Sequence, residues 1–179
     1  MWQTPAVVLI SGIMAAGKST VAELLARRLP RAVHLRGDLF RRMVVTGRAD
    51  MTAQPSAEAW RQLRLRYDLA ALVADRYAAA GFTVVLQDVV LGADLPAMVE
   101  RIRHRPLAVV VLAPRAEVVV DRERDRPKNG YGDWPVADLD AEFRADTPRI
   151  GLWLDTSEQS PAQTVDEILA RAWTDGRIG

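Results

Sequence analysis

The chain has 179 residues, 49% hydrophobic and 26% charged, which suits one globular domain with a substantial core. Its formal net charge of +1 provides no global field for nucleic acid, and its basic residues are almost all arginine, with Lys18 and Lys128 the only lysines. The absence of cysteine excludes disulfides and thiolate metal sites, His34 and His104 stand apart without metal-ligand spacing, and no apolar run reaches the roughly 18 residues of a membrane span.

Ala6-Val7-Val8-Leu9-Ile10 is short, apolar and rich in β-branched residues, and is expected as a buried parallel strand. It leads into Gly12-Ile13-Met14-Ala15-Ala16-Gly17-Lys18-Ser19, which fits G-x-x-x-x-G-K-[ST] without a gap. Residues 19–29 follow as a helix with Val21, Leu24, Leu25 and Leu29 on one face. Strand, glycine turn and helix are the context a phosphate-binding loop needs. Gly12 and Gly17 can turn the backbone so that N–H groups point at phosphate oxygens. The helix start adds unpaired N–H groups and the positive end of its dipole. Lys18 can reach the β- and γ-phosphates, and the Ser19 hydroxyl suits Mg²⁺. Nucleotide binding follows.

After Pro30, residues 32–36 read as a second strand, and Gly37-Asp38 opens a helix through about residue 45, closed by Thr46-Gly47. Residues 48–55 form a loop. A long amphipathic helix starts at Ser56, with Trp60, Leu63, Tyr67, Ala70, Ala71, Ala74 and Tyr77 at helical spacing, and ends at Gly81. Residues 82–86 are a third strand running into Gln87-Asp88, followed by a loop and a helix over 94–102. Residues 107–112 are a fourth strand, 114–126 a helix broken by Pro127, and 128–135 a polar loop. A helix near 136–144, a short strand at 151–154 and a helix from Ser160-Pro161 to about 173 complete the pattern. Strands apolar on both faces and alternating with helices imply an α/β fold, a parallel sheet covered on both sides. One domain spanning 1–179 is expected, with a lid near 115–135 and, since residues 1–12 carry no basic leader, a cytoplasmic location.

Sites in open α/β sheets lie beyond the carboxyl ends of the strands. Asp38 lies at such an end; it could simply cap a helix, or it could accept a hydroxyl proton, with Arg41 at i+3 binding the acceptor. Asp88 could make a turn, or hold Mg²⁺ together with Ser19, or meet substrate. Trp60 could pack the core or line an acceptor pocket, and Met43, Met51 and Val90 share that choice. The charged run over 121–126 could be a solvated face. Alternatively, Arg122 and Arg126, four apart, could be lid cations, Arg126 on phosphate and Arg122 on the base.

Four stretches carry a family resemblance: residues 12–20, Gly37-Asp38-Leu39-Phe40-Arg41, Gln87-Asp88-Val89-Val90-Leu91-Gly92, and Leu154-Asp155-Thr156-Ser157. Through them the chain resembles the chloramphenicol phosphotransferase-like branch of the small P-loop kinases, related in fold to shikimate, gluconate and adenylate kinases. The resemblance implies a three-layer P-loop NTPase fold with a five-stranded parallel sheet of order 2-3-1-4-5. It implies transfer of the γ-phosphate of ATP, with Mg²⁺, to a hydroxyl of a small molecule, antibiotics and related natural products included. Gly12 through Thr20 would hold the nucleotide, Asp38 would be the base, Arg122 and Arg126 the lid arginines, and Asp155 and Ser157 would border adenine. Gln87 stands where a second acid is expected, so either Asp88 alone supplies charge there or the acceptor pocket differs. Alternatives are a nucleotide or sugar-nucleotide kinase, a nucleic-acid end kinase, and a non-catalytic nucleotide-binding protein. Neither nucleic acid nor membrane is expected as a partner, and the oligomeric state stays open.

Overall fold

The computed structural model describes Trp2, residues 5–124 and residues 135–179. In chain order the first half gives β1 (Val7–Ser11), α1 (Lys18–Arg28), β2 (Ala32–Arg36), α2 (Asp38–Arg42), α3 (Ala57–Ala79) and β3 (Thr83–Gln87). The second half gives α4 (Asp94–Arg101), β4 (Leu107–Leu112), α5 (Ala116–Arg124), α6 (Val136–Asp146), β5 (Leu152–Leu154), α7 (Pro161–Arg171) and β6 (Arg177–Ile178).

The aliphatic runs at β1, β3 and β4 are buried at every position, as strands covered on both faces must be. They form the centre of a sheet of order β2-β3-β1-β4-β5, parallel along that path, with helices on both faces. This is the order the resemblance implies. The two-residue β6 was not expected, because so short a strand leaves no periodic signal. It runs antiparallel to β4 at Leu107 and Ala108, while β5 pairs with Val110–Leu112 along the same edge. The two meet at Val109, where no side chain fits: a Cβ on Gly151 would lie 2.4 Å, and one on Gly176 2.8 Å, from the Val109 carbonyl oxygen.

Two caps match the expected starts. Ser56 Oγ accepts from Ala59 N at 3.1 Å to open α3, and Ser160 forms a reciprocal capping box with Gln163 ahead of Pro161 in α7. One boundary differs. The helix after β2 ends at Arg42 rather than near 45; Val44 N reaches back only to Arg41 O, at 3.3 Å, and Val45 is 91% exposed. Val45, a β-branched residue with no surface to bury against, does not sustain another turn. No helix among the described residues is long and apolar enough to cross a membrane.

Candidate active site

The turn after β1 has the backbone its glycines allow. Gly12 has φ +143°, and Gly17 has φ +94° in the left-handed position that starts α1. A Cβ on Gly12 would lie 2.5 Å from the carbonyl oxygen of Leu112, so the loop passes against the end of β4. Ala15 also adopts positive φ, at +60°. Ala16 N donates to Ile13 O at 3.3 Å, closing the turn. Lys18, only 8% exposed, lies over the loop with Nζ donating to Ile13 O at 2.7 Å. Ser19 and Thr20 are exposed in the first turn of α1, where main-chain N–H groups have no intrahelical acceptor. A run of amides at a helix amino end with an ammonium beside it has the chemistry that suits an anion, and this loop is called the cradle.

Arg122 links the cradle to the loop after β5. Its Nη1 donates to Ala16 O at 3.4 Å and its Nη2 to Thr156 O at 3.0 Å. In that loop Asp155 Oδ1 accepts from Ser157 N at 3.0 Å and from the Ser157 hydroxyl. These hydrogen bonds hold the Asp155 carboxyl below its ordinary range. Ser157 Oγ in turn accepts from Arg115 N at 2.8 Å. Residues 12–18, Arg122 and the 155–157 loop are therefore joined through direct contacts, whereas Arg126 lies outside the described residues.

On the β2 side, Asp38 opens α2. Its Oδ2 accepts from Arg42 Nη2 at 2.6 Å, and its Oδ1 lies 4.0 Å from Arg36 Nε. Oδ1 is shielded from solvent yet has no hydrogen-bond partner among the described residues, so this carboxylate retains an unused acceptor. Arg42, at i+4, is the arginine of α2 that binds Asp38. Arg41 instead donates to Asp50 at 2.6 Å, with Arg48 Nε 3.5 Å from the other Asp50 oxygen. Gln62 of α3 fastens the same loop, donating to Gly47 O at 2.8 Å and accepting from Ala49 N at 2.9 Å. Trp60, 40% exposed, lines an open surface cleft with Ala57, Arg61 and Arg64. Val90 takes the core alternative. It is fully buried, and Ser11 Oγ donates to its carbonyl at 2.6 Å and accepts from its N–H at 3.2 Å.

Asp88, at the end of β3, is paired with Arg66 of α3. It is buried; Oδ2 accepts from Arg66 Nε at 2.7 Å, and Oδ1 accepts from Val89 N at 2.7 Å and also faces Arg66 Nη2. Burial pulls the Arg66 guanidinium below its ordinary pKa. Next in sequence, the buried Tyr67 donates its hydroxyl to Val89 O at 2.7 Å, and burial raises its pKa. Sequence reasoning missed Arg66, although a signal existed. Ala59, Leu63, Ala70 and Ala74 form the inward stripe of α3, and Arg66 interrupts it at i+3 from Leu63 and i−4 from Ala70. A charge on an apolar stripe requires a buried partner. Among the described residues no group of three or more His, Asp or Glu is arranged to hold a metal ion.

Residues 7–148 match a protein family described as an AAA domain. Several solved structures share the fold. A sugar kinase from Janibacter sp. HTCC2649 is 20% identical, with 94% of each chain covered and a TM-score of 0.66. The Deinococcus radiodurans tunicamycin resistance protein is 18% identical over 97% of this chain and 98% of that one, with a TM-score of 0.65. Shikimate kinase from Aquifex aeolicus is 20% identical over 92% of this chain and 94% of that one, with a TM-score of 0.61. No curated protein sequence matches the chain. At these identities the likeness establishes a small P-loop kinase fold.

Proposed function

Because the chain belongs to the AAA domain family, we propose that it is an ATP-dependent phosphotransferase acting on a hydroxyl of a small molecule. The observation that carries this reading is the cradle: Gly12 and Gly17 at positive φ in the turn before α1, Lys18 folded over that turn, and Arg122 tying it to the 155–157 loop. In this reading Gly12 through Thr20 bind the polyphosphate, and Lys18 exchanges the Ile13 carbonyl for a phosphate oxygen. Arg122, Asp155 and Ser157 border the base. A hard hydroxyl oxygen exposed in the first turn of α1 fits a Mg²⁺ ion, so Ser19 is the proposed ligand. When bound, Mg²⁺ neutralises charge on the phosphates.

Asp38 is the proposed base. Its Oδ1, which has no hydrogen-bond partner among the described residues, would take the proton of the acceptor hydroxyl while the acceptor oxygen bonds to the γ-phosphorus and ADP departs. Arg41 and Trp60 are proposed to contact the acceptor, and Arg126 to supply charge to the transferring group. The likeness to sugar and shikimate kinases supports a polyhydroxylated acceptor, and that to the tunicamycin resistance protein supports a natural-product antibiotic. A second reading, a nucleotide or sugar nucleotide as acceptor, is favoured by the guanidinium groups of Arg36 and Arg42 at Asp38 and of Arg41 and Arg48 at Asp50. The test is a panel of sugars, hydroxylated antibiotics and nucleoside monophosphates with MgATP, followed by ³¹P NMR. A new phosphate monoester on a sugar or antibiotic supports the first reading, and a nucleoside diphosphate the second. ATP consumption with no phosphorylated organic product across a broad panel would contradict both.

A further inference from the structure

We infer that Asp88 is a positioning residue for Asp38, locked by Arg66 against Gly37, and that it is not a metal ligand. The inference rests on the kinase reading for its consequence in catalysis, but its geometry is independent of that reading. At the sheet edge Arg36 is in register with Gln87, and Gly37 N donates to Gln87 O at 3.0 Å. Asp88 and Gly37 therefore leave their strands side by side. A Cβ on Gly37 would fall 2.0 Å from Asp88 Oδ2 and 2.5 Å from its Cγ, so the carboxylate lies directly against the glycine. Only a glycine leaves that space, and the residue after it is Asp38.

The carboxylate is held on its other side. Arg66 grips both oxygens, and Val89 N donates to one of them; the Asp88 and Arg66 side chains are 1% and 14% exposed. A buried ion pair returns little net stability once both charges are desolvated, but it does fix one arrangement of the groups that make it. Here that arrangement sets where α2 begins. Ligation of a dication by Asp88 would strip Arg66 of its partner and leave a buried guanidinium facing a metal ion, two like charges in a poorly solvated place. The pairing with Arg66 accounts for the burial of Asp88; a metal does not. Arg66 is also within electrostatic reach of both Asp38 and Arg41, so the pair is adjacent to the proposed acceptor site. Small displacements of a catalytic group, on the order of 1 Å, can cost about 100-fold in rate.

The experiment compares Asp88→Asn, Arg66→Gln and the double variant, in which two uncharged side chains can still hydrogen-bond. Three readouts are taken on each: MgATP binding as a function of Mg²⁺ concentration, amide hydrogen exchange over residues 37–43, and kcat and KM of transfer. Each single variant is expected to exchange at least about tenfold faster over 37–43 and to lose about 100-fold in kcat, by the positioning estimate above. MgATP affinity and Mg²⁺ requirement should stay within about twofold. The double variant, which buries no orphaned charge, should recover both protection and at least about tenfold in kcat. A tenfold or larger rise in Mg²⁺ requirement for Asp88→Asn, with exchange over 37–43 unchanged, would overturn the inference. So would a double variant no better protected than either single. If no acceptor is ever phosphorylated, the kinase reading fails, while the exchange data still decide whether Asp88 seats the start of α2.

Discussion

Replacing Gly12 with alanine tests whether the cradle is shaped as described. The position has φ +143°, which L-residues rarely adopt, and the new Cβ would sit 2.5 Å from Leu112 O where ordinary contact begins at 3.4 Å, an overlap of 3.4 − 2.5 = 0.9 Å. Leu112 cannot easily retreat, because it belongs to β4 and is paired in register with Leu154. Backbone strain of this kind costs about 1–3 kcal/mol, and forcing extra volume into a packed site a further 1–3 kcal/mol or so. Gly12→Ala should therefore lose roughly 2–6 kcal/mol, which for a chain of this size lowers Tm by roughly 5–20 °C. Displaced amides should also weaken MgATP binding by about tenfold or more, since about 1.4 kcal/mol corresponds to a factor of ten. The assay is urea and thermal unfolding with calorimetric MgATP titration. Gly47→Ala is the control: its φ is also positive, at +72°, but nothing lies within 4 Å. That variant should lose only about 1–2 kcal/mol from the left-handed backbone and keep its MgATP affinity. A Gly12→Ala protein that melts within about 2 °C of the parent and binds MgATP within about twofold would refute the geometry.

Ala15→Gly should change stability by less than about 1 kcal/mol, because relief of the left-handed strain of about 1–2 kcal/mol is offset by the larger entropy of glycine in the unfolded chain; a loss above about 2 kcal/mol in urea would contradict this. Arg122→Ala should weaken MgATP by about 3- to 30-fold, on the order of a cation–π contact, yet leave magnesium tripolyphosphate affinity unchanged, because the guanidinium serves the base side. Equal losses for both ligands in parallel titrations would contradict that assignment. For Asp155 the sign follows from its lowered pKa. The Ser157 hydrogen bonds stabilise the charged form, so their contribution is full above the ordinary value of 3.8 and fades as pH falls through the lower folded value. Asp155→Asn should accordingly be less stable than the parent near neutrality, with the gap closing below about pH 3.8 in acid titration by circular dichroism. A gap that widens with acid would reverse the argument.

Much of the fold was legible because its signals are local. The β-branched runs at β1, β3 and β4 and the alanine stripe of α3 need no knowledge of their partners to be read. The Gly12–Ser19 stretch was legible for the same reason, since one short segment contains the turn glycines, the cation and the helix start. Pairings between distant segments were not. Arg66 and Asp88 are separated by 22 positions and meet only because α3 crosses β3. Arg41 meets Asp50, which comes from a loop with no periodic signal, and Arg42 meets Asp38. Position left Val90 open between core and pocket, and the hydrogen bonds of its main chain to Ser11, which accompany its full burial, were not legible from it. The antiparallel β6 exists because Gly176 can lie against Val109, a fit visible only in three dimensions.

The most direct test of the account is calorimetric titration of MgATP into the parent protein and Lys18→Ala. Saturable association of the parent at micromolar to low-millimolar nucleotide, weakened about tenfold or more in Lys18→Ala, is the predicted result, since one charge-assisted contact is worth about 1.5–3 kcal/mol. Absence of saturable association in the parent up to several millimolar, or equal binding by the two proteins, would contradict it.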